Sequence, residues 1–356
     1  MRIFFVSAVL LVVGVPAAAV AQQPEPFASD RLATVMTQNL YHGVDAEFAA
    51  AIQAAGTPAF FAKVTLIYQG YFARNFPERA AVIAAEIDAK RPDLVGLQEV
   101  TLVRTQSPPD GPATAATNVE LDFLQILLDA LAARGLHYEA VVQAVGFDIE
   151  APSTLGKDVR HTNRDVILAR TDLPSSHLKL SNAQAGNFAV NCPILGGSVT
   201  LRRGWVSVDA KVRGKDFRFV STHLDGDCLS VTPFFQVAQA GELLAVPAAT
   251  TLPLVLVGDF NSPPAGAAYN VLAAGGLIDA WTTAAAGPGL TCCQDDDLLN
   301  ASSVLDRRID LVWLRGAWTA LAISIVGDNP ADKTAPSGMW PSDHAGVVAL
   351  LALANP

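Results

Sequence analysis

Basic side chains are scarce in this chain. Only 24 lysines and arginines stand against 34 acidic residues among 356, a formal charge of −10 with histidine neutral. Affinity for nucleic acid comes largely from Lys and Arg, so loose electrostatic adhesion to it is excluded. Phosphate chemistry is not, because a bound divalent cation can neutralise a phosphate locally. Cysteine is rare too, with four residues, and no Cys or His follows at zinc-finger spacing, which excludes a structural zinc module. Beyond the N-terminus no segment is apolar enough to span a membrane, which takes about 20 residues, and no stable membrane insertion is expected. The sequence lacks internal repeats, low-complexity tracts beyond a general Ala enrichment, and any linker-like stretch. One domain is expected, as a monomer.

The N-terminus reads as an export signal. Arg2 precedes the apolar run Ile3 to Val15, and a small-residue stretch ends Ala19-Val20-Ala21 before Gln22. Residues 1–21 are therefore expected to be cleaved, leaving a secreted or periplasmic domain over 22–356. Four cysteines in an exported chain suggest disulfides. Segments 198–212 and 216–224 read as a hairpin turning at Arg213-Gly214-Lys215, and Cys192 and Cys228 flank its open end, which favours their pairing. A bridge between the adjacent Cys292 and Cys293 needs unusual local geometry, so these read as two thiols packed in a loop.

Along the chain, Ala33 to Leu40 reads as a first strand. Phe76-Pro77-Glu78 opens a helix that runs to Lys90, with Pro and Glu suited to its first turn, and Arg91-Pro92-Asp93 breaks it. Residues 104–118, rich in Pro, Thr, Asp and Gly, read as a surface loop. A helix is predicted from about Val119 to Arg134 and another over 234–246. The next strand after the first leads to Glu99, and strands are predicted near 138–145, 165–170, 198–212, 216–224 and 252–258; the last third holds the run 306–314, then a strand around 319–326 and a last one over 345–353. Strands outnumber helices and several form hairpins. The expectation is an α+β, four-layer sandwich: two mixed, mostly antiparallel sheets face to face, with helices outside.

The informative feature is what stands at the strand ends. Leu252-Pro-Leu-Val-Leu-Val257 stops at Gly258-Asp259-Phe260-Asn261. Val35-Met-Thr-Gln-Asn39 ends in Asn, Asp93-Leu-Val-Gly-Leu-Gln-Glu99 in Glu, and Phe219-Val-Ser-Thr-His223 in His. Pro341-Ser342-Asp343-His344 precedes the last strand. Strand ends are where α/β proteins bind ligands. This set combines oxygen ligands for a hard metal, an acid/base pair and neutral donors. Asp310, inside Ile309-Asp-Leu-Val-Trp-Leu314, must be paired or exposed, and pairing is the better account.

The ordered series Asn39, Gln98-Glu99, Thr222-His223, Gly258-Asp-Phe-Asn261, Arg308-Ile-Asp310 and Ser342-Asp-His344 resembles the endonuclease/exonuclease/phosphatase superfamily over nearly the whole mature chain. The resemblance implies a metal-dependent phosphoric ester hydrolase of the phosphodiesterase/endonuclease kind. It implies that Asn39, Glu99 and Asp343 serve a divalent cation, with Glu99 the principal ligand. Asp259 and Asn261 would sit beside the scissile phosphate, His223 would donate to it, and Asp310 would hold His344. Mg²⁺ suits oxygen ligands and keeps several waters; Mn²⁺ and Ca²⁺ stay open. Whether His344 or Asp259 takes the water's proton also stays open. An extracellular nuclease is the leading specific reading, with a sphingomyelinase-like phospholipase C, another phosphatase of the superfamily, or a catalytically retired binding protein as alternatives.

Plainer readings exist for several residues. Asn39 alone could cap a turn, and Glu99 could be a surface carboxylate, though it follows a very apolar run. His137 and His177 read as ordinary loop residues, and Asp225 and Asp227 as turn residues rather than a second metal site. His42 and His161 lie near strand ends whose direction is open, as does phosphate contact by Asn163 or Asp165. Residues 44–75 carry Phe48, Phe60, Phe61, Tyr68, Tyr71 and Phe72, which read as a helical layer over the sheet. The sharper reading of this block is a lid or apolar wall beside the cleft.

Overall fold

The strongly apolar runs become strands because a strand covered on both faces needs no polar alternation. A computed structural model describes residues 32–226, 228, 233–285 and 287–354. The export segment expected over 1–21 and Asp227 lie outside the described residues. An eight-stranded sheet runs β15 (Trp318–Val326), β16 (Gly346–Leu353), β1 (Leu32–Asn39), β2 (Leu94–Gln98), β6 (Asp158–Arg170), β3 (Leu102–Gln106) and β4 (Asn118–Asp122), with β5 (Tyr138–Pro152) also on β6. A six-stranded sheet runs β13 (Ile278–Asp279), β14 (Asp310–Arg315), β12 (Leu254–Asp259), β11 (Lys215–His223), β10 (Gly204–Val212) and β7 (Leu178–Asn187). A two-stranded ribbon pairs β8 (Cys192–Ile194) with β9 (Val199–Leu201).

The two sheets pack through a shared apolar layer that includes Val35, Leu94, Ile167, Val206, Phe219, Val255, Val312 and Val347. Helices α1 (Asp45–Gln53), α2 (Phe60–Ala73), α3 (Phe76–Lys90) and α4 (Phe123–Ala133) cover the outer face of the large sheet. On the small sheet, α5 (Phe234–Leu243), α6 (Ala245–Ala248) and α7 (Ala267–Ala274) do the same, and α8 (Trp281–Ala284) joins the layer between the sheets. This is the expected four-layer sandwich of mixed, mostly antiparallel sheets. Each sheet contains one parallel pair among its described strands, β1 with β2 and β11 with β12. Parallel neighbours end at the same rim, and that places the site.

Several expectations are corrected. The strand expected over 138–145 extends to Pro152 and the one over 165–170 begins at Asp158, because the two form one long hairpin. The loop over 104–118 is shortened, since β3 runs to Gln106 and pairs with β4 from Asn118. That pairing also delays the helix predicted from Val119. It begins at Phe123, where the Asp122 side chain accepts from the Leu124 N–H at 3.1 Å as its cap. The predicted strand over 198–212 breaks between β9 and β10. Strand β7 was not expected at all: its sequence is polar, its residues are mostly exposed, and it lies at the edge of its sheet. Cys192 and Cys228 are bonded. Cys292 and Cys293, expected as separate thiols, are bonded to each other.

Glu86 on α3 is buried, and neither carboxylate oxygen has a partner among the described residues. Burial first, then Asp332 and Asp328, raise its pKa to about 8. A carboxyl raised on folding contributes stability in its protonated form. That contribution is complete below the ordinary Glu value and lost as pH rises through about 8. Glu86→Gln, a neutral isostere, should therefore melt higher than wild type at about pH 9 and alike at about pH 4. Thermal melts of both proteins across that range check this, and a pH-independent difference rejects it.

Candidate active site

Asn39 ends β1, and Glu99 follows directly on its parallel neighbour β2, in register with Asn39 paired to Gln98. His223 and Asp259 end the other parallel pair and stand opposite each other. Asp310 begins β14, antiparallel to β12 and also opposite Asp259. Strand termini from both sheets thus deliver their polar residues to one rim. The approach of the sheets is set by small and hydrogen-bonded residues. A Cβ on Gly96 would lie 2.6 Å from the Ser221 hydroxyl, and Gln98 Nε2 donates across the gap to that hydroxyl at 2.9 Å. Gly258 has φ 145° and its Cβ would stand 2.0 Å from the Thr222 carbonyl oxygen, so only glycine can precede Asp259.

Asp259 is the centre of the cluster. Its Oδ2 accepts from Asn39 Nδ2 at 3.1 Å and lies 3.3 Å from His223 Nε2 and 3.8 Å from His344 Nε2. Its Oδ1 accepts from the Asn261 backbone N–H at 2.8 Å. His344 Nδ1 bonds Asp310 Oδ2 at 2.7 Å, and His344 Nε2 is 3.9 Å from Asp343. Ser342 ties this loop to the first strand by donating to the Asn39 carbonyl at 2.7 Å. Glu99 Oε2 accepts from the His42 backbone N–H at 2.8 Å, and His42 Nε2 stands 3.8 Å from the same oxygen. The structure therefore gathers Asn39, His223, Asp259, Asn261, Asp310, Asp343 and His344 in one contact network, with Glu99 at its edge through the loop after β1.

The electrostatics follow from crowding. Burial opposes a charged His344, but Asp310, Asp343 and Asp259 outweigh it and hold the imidazole well above its usual value. Burial raises Asp259 to about 7, with His344 opposing and Asp310 adding to the rise. Asp343 also rises to about 7, through burial, with Glu99 and Asp45 adding to it. Asp165 is buried, raised to about 8 by burial, and feels Glu99 and Asp259. Its Oδ1 and the Asn163 Nδ2 have no partner among the described residues. Closely spaced buried carboxylates with unspent oxygens are what a hard divalent cation relieves, so the donors present fit such an ion. Asp259, Asp310 and His344 also lie close enough together to hold one.

His161 is buried and bonds Tyr71 at 2.5 Å. Its ring packs against His42, Phe48 and Phe147, which makes it part of an apolar wall under α1 and α2. The aromatic block over 44–75 divides accordingly. Tyr71 is buried, Phe48, Phe60 and Tyr68 are half-buried, and Phe61 and Phe72 are exposed. His137 and His177 are exposed, away from the cluster. Asp225 has its N–H taken by Gln239 and its carbonyl by Gln236.

Two arginines escaped the sequence reading. Arg79 is fully buried and donates to the carbonyls of Leu40, Tyr41 and Pro341, stapling the loop after Asn39 to the loop before His344. A signal existed: Arg79 lies on the apolar stripe of α3, three residues from Phe76 and four from Ile83, where a lone charge needs buried partners. Arg203, just before β10, bonds His223 Nδ1 at 2.9 Å. It shows no pattern in the sequence that could have found it.

A family model described as the Endonuclease/Exonuclease/phosphatase family matches residues 36–344. No curated protein sequence matches the chain. An endonuclease/exonuclease/phosphatase family protein from Bacteroides thetaiotaomicron is 16% identical at TM-score 0.59, covering 91% of this chain and 98% of its own. A mannosyl-6-phosphatase from B. thetaiotaomicron VPI-5482 is 17% identical at TM-score 0.57, covering 90% and 100%. D. rerio TDP2, complexed with a single-strand DNA product, is 16% identical at TM-score 0.52, covering 90% and 98%. At these identities the structural likenesses establish the fold.

The His344–Asp310 pair makes a stability prediction with a definite sign. A histidine raised on folding contributes stability that is present below its unfolded pKa and lost as pH rises through the folded value. Asp310→Asn should lower the His344 titration midpoint seen by NMR. It should also cost more stability near pH 6 than near pH 10 in denaturant unfolding. An equal loss at both pH values rejects the pairing as the source.

Proposed function

This chain belongs to the endonuclease/exonuclease/phosphatase family of metal-dependent phosphoester hydrolases, and from that premise we propose that it is an exported Mg²⁺-dependent phosphodiesterase acting on nucleic acid. The observation that carries the hydrolytic reading is the meeting of Asn39, His223, Asp310 and His344 around Asp259. Asn39, Glu99 and Asp343 would hold the cation. Its charge offsets that of the phosphate, and the all-oxygen set favours Mg²⁺, with Mn²⁺ next.

The chain's own groups supply the rest. Asn261 Nδ2 and His223 stand 3.2 Å apart at the rim, positioned to donate to a non-bridging oxygen. His344, held cationic by Asp310, clamps the developing negative charge rather than accepting a proton. Asp259, raised to about 7, orients the attacking water and takes its proton near neutral pH as the new P–O bond forms; the P–O bond to the leaving oxygen breaks, and that oxygen takes a proton from solvent. The nuclease reading draws on the strand-end series and on the DNA product held by the D. rerio relative. The cationic side chains near the β3–β6 face do not make a phosphate track: Arg104 and Arg160 pair with Asp148, and Arg164 with Asp122. Binding should accordingly be weakly salt-dependent, which suits short or single-stranded substrates.

A lipid-headgroup substrate is the second reading, favoured by one observation. An apolar cavity of about 40 Å³ lies between α1, α2, β5 and the loop at Leu195, with His161 in its wall, and α2 also carries the exposed Phe61 and Phe72. Glu99→Gln and His344→Ala should each lower chelator-sensitive hydrolysis on the order of 10²–10³-fold with the melting profile retained; unchanged turnover in both refutes the site. Phe61→Ser with Phe72→Ser should leave DNA and generic diester hydrolysis unchanged. Selective loss on sphingomyelin liposomes would instead establish the lipid reading.

A further inference from the structure

His223 is 2% exposed and touches three polar side chains. Arg203 Nη1 lies 2.9 Å from its Nδ1, Asp259 Oδ2 lies 3.3 Å from its Nε2, and Asn261 Nδ2 lies 3.2 Å from Nε2. A guanidinium has no acceptor atom and carries its proton at every relevant pH. The bond at 2.9 Å therefore requires Nδ1 to be the acceptor, and a neutral imidazole then bears its proton on Nε2. Asp259 favours the same assignment by charge, because its carboxylate lies 3.3 Å from Nε2 without hydrogen-bonding it, which leaves the Nε2–H for another acceptor. The Asn261 amide is oriented by its own bond, Nδ2 donating to the Leu224 carbonyl at 3.0 Å. The Nε2–H and the second Nδ2 hydrogen are thus two donors side by side that cannot bond each other. Donors so placed converge on a shared acceptor.

We propose that Arg203 is the positioning residue that locks His223 as its Nε2–H tautomer, so that a neutral His223 and Asn261 together form a two-donor seat for a phosphoryl oxygen of the substrate. This rests on the phosphoester reading above and adds to it a residue, a protonation state and a donor direction. Burial, then the charge of Arg203, then His344 and His42 hold His223 well below its usual value, consistent with a neutral ring. The backbone around Arg203 is anchored separately: its N–H donates to Asn191 Oδ1 at 2.9 Å and its carbonyl accepts from the Phe188 N–H. Truncating the side chain leaves those bonds in place. The guanidinium Nε is buried without a partner among the described residues, so the side chain is held by His223 rather than by a set of structural bonds.

The test has two arms on the full mature chain. In the first, long-range ¹⁵N–¹H NMR of the wild-type imidazoles reads the His223 tautomer directly, with His223→Gln for assignment. The expected result is a protonated Nε2 and a bare Nδ1 at neutral pH, with a shift toward mixed tautomers in Arg203→Met. A wild-type His223 protonated on Nδ1, or on both nitrogens, overturns the proposal whatever the enzyme's activity. In the second, Arg203→Ala is assayed on bis-p-nitrophenyl phosphate with Mg²⁺. Its kcat should fall on the order of 10²-fold and recover in part with added guanidinium ion at concentrations that leave wild type unaffected. A variant that keeps wild-type kcat, or a loss that guanidinium never restores while the melting profile is native, also overturns it. Absence of chelator-sensitive turnover in wild type would defeat the phosphoester reading instead, and the NMR arm would still decide the tautomer.

Discussion

Two parallel strand pairs, one in each sheet, are the constraint on which the rest depends. A parallel neighbour ends where its partner ends, so β1 and β2 bring Asn39 and Glu99 to one rim, and β11 and β12 bring His223 and Asp259 to another. The rims become one site only because the sheets approach closely at Gly96, where Gln98 reaches across to Ser221. A side chain at position 96 would push Ser221 and Val257 away, and with them the strands that end at His223 and Asp259. The spacing between the two groups of strand-end residues is thus a packing property of the core, set some residues inside the rim.

Loops complete the site, and here buried charge replaces apolar packing. The loop after Asn39 and the loop carrying Asp343 and His344 belong to distant parts of the chain. Arg79 joins them with three carbonyl bonds from within α3, and Ser342 adds a fourth contact to the Asn39 carbonyl. Burying a guanidinium is costly unless its donors are used, and here they are used on the carbonyls of Leu40, Tyr41, Arg74 and Pro341. The same logic explains why His344 stays put: its ring is bonded to Asp310, its N–H to Ser342, and its carbonyl accepts from Gln38.

What could be read from the sequence was what repeats a local pattern. An apolar run closed by a polar residue gave the rim positions of Asn39, Glu99, His223 and Asp259, and a lone carboxylate inside Ile-Asp-Leu-Val-Trp-Leu pointed to a buried partner for Asp310. Polar, edge-lying β7 could not be read this way, because its pairing with β10 is decided by the neighbour and not by its own residues. The Pro- and Gly-rich stretch over 104–118 hid two strand ends for the same reason. Arg203 was invisible because it stands just outside β10, ahead of the alternating Val206, Val208, Ala210 and Val212. It stands next to His223 through the register that pairs Gly204 with His223, a relation between two strands that neither strand carries alone.

The charge pattern then links architecture to chemistry. Asp259 and Asp343 are each pushed to about 7 chiefly by burial, while His344 is drawn well above its usual value by the carboxylates beside it. The crowded acids have one unmet need, a cation among the oxygens, and a cation that draws on the carboxylates now compensating His344 creates a second, an anion at the imidazolium. A phosphoester bound beside a divalent ion meets both at once. Neither a neutral ligand nor a metal alone does so, because each would leave one side of the rim uncompensated. On the proposed function, metal and phosphate would then bind with positive coupling, set by the charges the fold has buried.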